Sequence, residues 1–334
     1  SKGFGNFIVK RLDFIEEDYF DFKEIFAFGF GFSFIILFLF FLGILGFLFK
    51  PVVLVFLCFG IFLFFYSREF SGKNKSKIDL TSKISFFEII FVFLIIVSIL
   101  YLIPCILVPE TFYDSLLSNL GVPYKWLQNN RIYSIPYNIY SDIPYNIGLL
   151  YLIGLMFSDT SLPKIINFIF FLLSSRMIFV FVKRFTNRKL AVFCSGFFIL
   201  TPLTLLLSTR TGFEMGLIFF ELLSVLSIFV FLKNNQFGWL VVSGFMNGMA
   251  LGGKYTSVMS TVSIITAMFF IGILVEKKSY KQVLREIFIF GLTATITVSP
   301  WLIRNFINWG NPFVPMLEFL GRSETARVID VVDP

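Results

Sequence analysis

Residues 86–107 read FFEIIFVFLIIVSILYLIPCIL, an apolar stretch whose one charged side chain is Glu88, close to its start. A helix needs about 20 mainly apolar residues to cross the ~30 Å hydrocarbon core of a bilayer. This stretch meets that length without interruption, so it predicts a transmembrane helix. We therefore expect the chain to be anchored in a membrane.

The composition of the whole chain supports this expectation. Of its 334 residues, 57% are hydrophobic and only 15% are charged. Phenylalanine alone accounts for 50 residues. Because a soluble domain has about 25% charged residues, the composition predicts an all-α, polytopic membrane protein. Histidine is absent, which excludes histidine-based catalysis and histidine metal ligands. The three cysteines show no metal-binding spacing.

Other apolar segments of similar character bring the predicted number of spans to about nine. The segment 143–157 (IPYNIGLLYLIGLMF) is shorter, and at about 1.5 Å per residue it would hardly cross the bilayer. We expect it to form a half-inserted or interfacial helix on the outer side. The other predicted spans lie near residues 26–48, 51–66, 163–182, 190–208, 213–232, 237–252, 255–275 and 286–303.

Positive charge predicts the orientation of these helices. Thirteen of the 28 Lys and Arg residues fall in loops 67–84, 183–189 and 276–285, and short basic loops usually face the cytoplasm. With these loops inside, residues 108–142 and everything after 303 face outward. The net charge of +7 therefore indicates topology, and we expect no nucleic acid as a partner.

The longest predicted outer loop, 108–142, has two acids near its start, Glu110 and Asp114, and Asp142 at its end. Each could be an ordinary solvated acid, or it could act on a substrate. Residues 114–128 (DSLLSNLGVPYKWLQ) have apolar side chains at helical spacing. This spacing predicts a helix that lies on the membrane.

Further charged residues are predicted on the same face. Glu214 begins a helix, where it could simply interact with the helix dipole, but an ionisable group so near hydrocarbon usually has a partner or a function. Lys254 follows two glycines, and its side chain could extend to the membrane–water interface or bind a phosphate. Arg210 stands near Glu214, and Arg304 leaves the last span within PWLIRNFINWGNPFVP (300–315).

The order of these motifs resembles the integral-membrane glycosyltransferases of the GT-C fold. The similar branch is that of the dolichyl-phosphate-mannose-protein mannosyltransferases and their bacterial relatives, and the likeness spans roughly residues 100–320. The segments that carry it are PETFYDSLLSNLGVPYKWLQNNRI, PYNIYSDIPYNIGLLYLIGL, LTPLTLLLSTRTGFEMGLIFF, GFMNGMALGGKYTS and PWLIRNFINWGNPFVP.

The resemblance implies roles for individual residues. Asp114 takes the place of the proposed catalytic base, and Glu214 takes that of a second acid, which is usually Asp. Lys254 matches the lysine that follows the glycines. Together with Arg210 and Arg304 it is a candidate to bind the phosphate of the donor.

Two departures from the family pattern favour an alternative. Relatives often have Tyr-His where this chain has Ser118 and Asn119, and they tend to have Glu where Gly148 stands. The alternative is therefore a catalytically degenerate GT-C-like scaffold, which would serve as a membrane subunit of a larger complex. A transporter ranks third, because no matching pair of broken helices is evident.

We expect four parts: an N-terminal interfacial segment (1–25), a helix pair (26–66), a GT-C-like module (86–320) and the start of a C-terminal region that could be truncated (321–334). The expected partners are a polyprenyl-phosphate sugar and membrane lipids, with the acceptor left open. No cofactor is expected, although a divalent metal is an open alternative. The expected location is a bacterial inner membrane, with the active face outward.

Overall fold

The computed structural model describes residues 1–12, 20–69, 85–157 and 160–317, without the side chains of 20, 21 and 67–69. Within these ranges there are thirteen α-helices and no strand. The helices are α1 (Lys2–Val9), α2 (Phe20–Leu45), α3 (Lys50–Glu69), α4 (Phe86–Leu107), α5 (Gly121–Gln128), α6 (Asn146–Phe157), α7 (Ser161–Phe185), α8 (Arg188–Leu200), α9 (Pro202–Ser208), α10 (Glu214–Asn234), α11 (Phe237–Leu251), α12 (Val258–Phe270) and α13 (Tyr280–Trp309).

The prediction of an all-α, polytopic membrane protein is confirmed. Six helices in the described ranges are long and apolar enough to cross a membrane. The predicted number of spans is about nine, and it is reached if the bent pair α8–α9 and the shorter helices α3 and α11 also count as spans. The six spans are Phe22–Leu45, Phe86–Leu107, Ser161–Phe185, Glu214–Asn234, Tyr255–Val275 and Tyr280–Trp309.

The predicted span 190–208 is broken in the structure. Helix α8 ends at Leu200, and α9 begins at Pro202 with a bend of 64° between the two axes. Proline has no backbone N–H and clashes with the preceding helical turn, so it suits the first position of a new helix. The prediction of one continuous helix is therefore wrong at this point.

Basic and acidic side chains join several helix ends at one end of the bundle. Arg188 at the start of α8 lies 3.5 Å from Glu88 at the start of α4. Lys278, just before α13, lies 3.2 Å from Glu286 and over the ring of Phe231 near the end of α10. These ends come from the loops that the charge pattern assigns to the cytoplasm, so their grouping agrees with the predicted alternation of helices.

Helix α6 lies at the opposite end of the bundle. The side chain of Asn146, at its start, donates to the carbonyl of Met249 near the end of α11 (2.9 Å), and Thr160, just after α6, accepts from the N–H of Glu110 (2.8 Å). Because both ends of α6 meet the same end of the bundle, α6 does not cross, as predicted. Its side chains are largely buried against α2, α5 and α7, and its half-inserted or interfacial depth in the bilayer stays a prediction.

The segment 114–128 is helical, as predicted, with a π-helical turn (Ser115–Leu120) followed by α5. One side of it packs into the protein: Val122 and Trp126 are fully buried, and the Trp126 indole donates to the carbonyl of Tyr133 (2.8 Å). Leu116, Leu117 and Tyr124 are exposed. The position of this segment on the membrane surface therefore stays a prediction.

The boundary predicted at residue 25 falls inside α2, which begins at Phe20. Ahead of it, α1 packs against α2 and α3 so closely that a Cβ atom added to Gly5 would lie 1.6 Å from the Ala27 carbonyl oxygen. The interfacial position of residues 1–25 stays a prediction, and residues 13–19 lie outside the described ranges. The basic loop 70–84 and the predicted region 321–334 also lie outside them.

Candidate functional site

The turn between α9 and α10 presents Glu214 at the end of the bundle that holds α6. Two buried side chains form hydrogen bonds with the backbone of this turn. The Tyr151 hydroxyl donates to the carbonyl of Gly212, and the Asn167 amide donates to the carbonyl of Arg210 (2.7 Å). The first residue of α10 therefore has a defined position.

Glu110 joins the long loop to the same turn. One carboxylate oxygen accepts from the N–H (2.8 Å) and hydroxyl (2.9 Å) of Thr211, and the other accepts from the N–H groups of Thr111 and Phe112, each at 3.0 Å. Burial opposes ionisation of this carboxyl, but the hydrogen bonds from Thr211, Phe112 and Thr111 outweigh it, so the pKa of Glu110 lies below its usual value. Such a carboxylate is a structural anchor and a poor proton acceptor.

Glu214 and Lys254 form an ion pair with 3.3 Å between the carboxylate oxygen and Nζ. Both side chains are partly exposed, at 36% and 42% respectively, so a ligand can reach them. Two closely packed glycines precede the lysine. A Cβ atom on Gly252 would lie 2.2 Å from the side-chain amide of Asn146, and one on Gly253 would lie 2.7 Å from the Leu217 side chain, so a larger residue at either position would displace a packed side chain.

Arg210 and Asp114 lie on neighbouring segments. The Arg210 guanidinium lies 4.0 Å from the centre of the Phe112 ring, a cation–π geometry. Asp114 is exposed and immediately precedes the π-helical turn, without a capping hydrogen bond from its side chain. Five residues later, the Asn119 amide donates to the carbonyl of Thr211 (2.8 Å). The segment with Asp114 is therefore docked on the turn that leads to Glu214.

Arg304 is placed differently from the other predicted cations. It forms a buried ion pair with Asp142 (3.4 Å), and the two side chains are 4% and 2% exposed. It also donates to the carbonyl of Ser141 (3.1 Å). Its guanidinium is therefore paired and buried, and its predicted role in binding the donor phosphate stays a prediction.

The two departures from the family pattern lie side by side in the fold. A Cβ atom on Gly148 would lie 2.5 Å from the Tyr145 ring and 3.3 Å from the Phe213 ring, so these rings pack closely around the glycine. The Tyr145 hydroxyl donates to the carbonyl of Ser118 (3.2 Å). Burial raises the pKa of Tyr145, which keeps this donor protonated.

Sequence reasoning singled out Glu110 as an acid of the long loop, but it missed the pairings that hold the site together. Glu110 and Thr211 are 101 positions apart, and Tyr151 and Gly212 are 61 apart. No periodicity or local motif signals such pairs. Within the described ranges, no group of three acidic or cysteine side chains converges as a metal site.

One comparison with known proteins gave a match. Residues 143–303 match the family described as dolichyl-phosphate-mannose-protein mannosyltransferase. The matched range covers just under half of the chain and contains Arg210, Glu214 and Lys254, whereas Asp114 precedes it. Searches of curated proteins and of solved structures gave no match.

Proposed function

We propose that this chain, a GT-C-like membrane protein of the mannosyltransferase type, transfers a sugar from a polyprenyl-phosphate donor to an acceptor. The observation that carries the proposal is the partly exposed pair of Glu214 and Lys254 inside the matched range. A carboxylate and an ammonium group 3.3 Å apart, at the end of a membrane bundle, suit a substrate with sugar hydroxyls and a phosphate.

The reaction breaks the bond between the anomeric carbon and the phosphate oxygen and forms a bond from that carbon to the acceptor oxygen. The acceptor proton passes to a carboxylate, a step that general bases typically accelerate by about 10²–10⁴-fold. The phosphate leaves as an anion, so it needs no acid, but its charge needs cations already in place.

We assign the base to Asp114 and the phosphate to Lys254 and Arg210. Asp114 is exposed, and its side chain has no hydrogen-bond partner in the described part of the chain. Glu214 pairs with Lys254 and thereby directs its ammonium group. Glu110 is a poorer base than Asp114, because four hydrogen bonds already hold its carboxylate.

The test is a transfer assay with purified protein and a panel of polyprenyl-phosphate sugars, in which released polyprenyl phosphate is measured. We expect Asp114→Asn to lower release by about 10²-fold or more, in line with the loss of a general base. Lys254→Gln should also lower it, because the leaving phosphate loses a cation. Lys125→Gln is the matched control, since Lys125 is a cation on α5. Full release by folded Asp114→Asn would contradict the assignment of the base.

A non-catalytic subunit is the second candidate, and the packing of Tyr145 and Phe213 around Gly148 favours it. Absence of release from every donor, together with copurification in a larger membrane complex, would support this candidate. A transporter has less support, because the described chain has one bent helix pair and not the matching two that transporters show.

The location and partners of this activity belong to the proposal. We propose a bacterial inner membrane, with Glu214 and Lys254 at its outer face. The donor lipid would reach them through the bilayer, and the acceptor could be a protein, a lipid or a polysaccharide. The orientation can be tested on the whole molecule without knowledge of the donor.

A further inference from the structure

A lateral groove lies between the ends of α2 and α13, at the same end of the bundle as α6. Its cavity volume is about 760 Å³, and its apolar walls include Phe41 and Ile44 from α2 and Ile303 and Ile307 from α13. All four side chains are exposed. Since these helices are candidate membrane spans, an apolar chain can enter the groove sideways from the bilayer.

The polar end of this α2–α13 groove is basic. Among its described lining residues there are two arginines, Arg131 and Arg304, and no acid. Arg131 is exposed, and no partner for its side chain is found in the described chain. Arg304 already pairs with Asp142. This end of the groove therefore presents about one net positive charge.

Two buried donors at this end lack an acceptor. They are Nε of Arg304 and Nε1 of Trp309, each without a hydrogen-bond partner in the described chain. Buried polar groups nearly always have a partner, and an orphan often marks the place of an absent ligand or water.

The groove is separate from the proposed transfer site. Its lining contains neither Asp114, Glu214 nor Lys254. Arg304, which lines the groove, forms a buried pair with Asp142. Asn305 donates to the carbonyl of Asp142 (2.7 Å) and to the hydroxyl of Tyr255 (3.5 Å), the residue after Lys254, so this layer lies on the path from the groove to Lys254. A lipid headgroup in the groove would therefore sit behind this layer, away from the candidate base.

We propose that the α2–α13 groove binds one anionic glycerophospholipid from the bilayer. Its acyl chain lies along Ile44 and Ile307, and its phosphodiester lies at the exposed Arg131, because a guanidinium binds phosphate oxygens through charge-assisted hydrogen bonds. A phosphodiester has one negative charge, which matches the net charge of this end.

The test is native mass spectrometry of the full chain. The purified protein is exchanged into detergent that contains phosphatidylglycerol, phosphatidylcholine or polyprenyl phosphate, and no sugar donor is present. We expect one retained phosphatidylglycerol per chain and less retained phosphatidylcholine. Arg131→Gln should weaken retention about fivefold, the factor that corresponds to one basic side chain near anionic lipid. Ile307→Trp should also weaken it by filling the groove.

Two matched variants control for general effects. Lys125→Gln removes a cation from α5, and Phe306→Trp adds an indole to an exposed position of α13 beside the groove; neither residue lines it. Both should retain phosphatidylglycerol as the unaltered chain does. If the Arg131→Gln and Ile307→Trp variants both retained as much phosphatidylglycerol as the unaltered chain, the proposal would be overturned. So would Arg131-dependent retention of polyprenyl phosphate in place of phosphatidylglycerol. Neither outcome depends on sugar transfer, so failure here is distinguishable from failure of the proposed function.

Discussion

At the level of single residues, Glu110 and Asp114 show how two acids of one loop take different roles. Glu110 is buried, and both of its oxygens accept hydrogen bonds that fix the loop to Thr211. Asp114 is exposed, four residues further on. Hydrogen bonding to the charged form stabilises a carboxylate and makes it a weaker base. The free carboxylate is therefore the better candidate for proton transfer.

Glu110→Gln should lower the free energy of unfolding by about 1–3 kcal/mol, because buried donors on Thr211 and Phe112 lose a charged acceptor. The pKa of Glu110 is lower in the folded state. Its contribution is therefore complete above the ordinary pKa of glutamate and is lost as pH falls through the lowered value. Unfolding of both proteins in detergent should be followed from neutral to acidic pH.

The difference between the two proteins should shrink in acid. The control is Asp114→Asn, which alters an exposed side chain and should change stability by less than about 0.5 kcal/mol. If the effect of Glu110→Gln were constant with pH, the carboxylate would not be the source of the stability.

At the level of helices, two glycines allow α11 to approach α13. Gly244 and Gly248 are four residues apart, and an added Cβ atom would lie 2.5 Å from the carbonyl oxygen of Phe290 or Ala294, respectively. Membrane helices gain no hydrophobic driving force from each other, so close packing at small residues holds them together. Lys254 follows α11, so this contact also sets the position of the candidate site.

Gly248→Ala should destabilise the protein by about 1–3 kcal/mol, the usual cost of overpacking, because its methyl group overlaps the α13 backbone. Gly291→Ala, on α13, is the matched control. No atom lies within 4 Å of a Cβ added there, and alanine favours a helix. Thermal unfolding of both variants is the measurement, and equal stability of the two would contradict this packing.

At the level of the whole molecule, the predicted orientation can be tested by labelling. Asn129 follows α5, at the end that holds α6, whereas Lys277 precedes α13, and both side chains are exposed. In intact cells, a membrane-impermeant maleimide should label Asn129→Cys, and Lys277→Cys should react only after the membrane is permeabilised. The unaltered chain, which contains Cys58, Cys105 and Cys194, measures the background. The reverse pattern would place Glu214 and Lys254 at the cytoplasmic face.

Much of this architecture is predictable from the sequence, because insertion of a helix into a bilayer depends on its own length and apolarity. The span 86–107 coincides with α4. The motif order likewise indicated the family whose match covers residues 143–303. It also pointed to Glu214 and Lys254, which the fold brings together across 40 positions.

Only the tertiary structure decided which polar groups meet. Arg304 pairs with Asp142, the Glu110 carboxylate accepts a hydrogen bond from the N–H of Thr211, and α6 is enclosed by other helices. In a bilayer, apolarity drives each helix into the membrane but does not select its neighbours. That selection rests on close packing and on hydrogen bonds between distant residues, and no local pattern in the sequence specifies them.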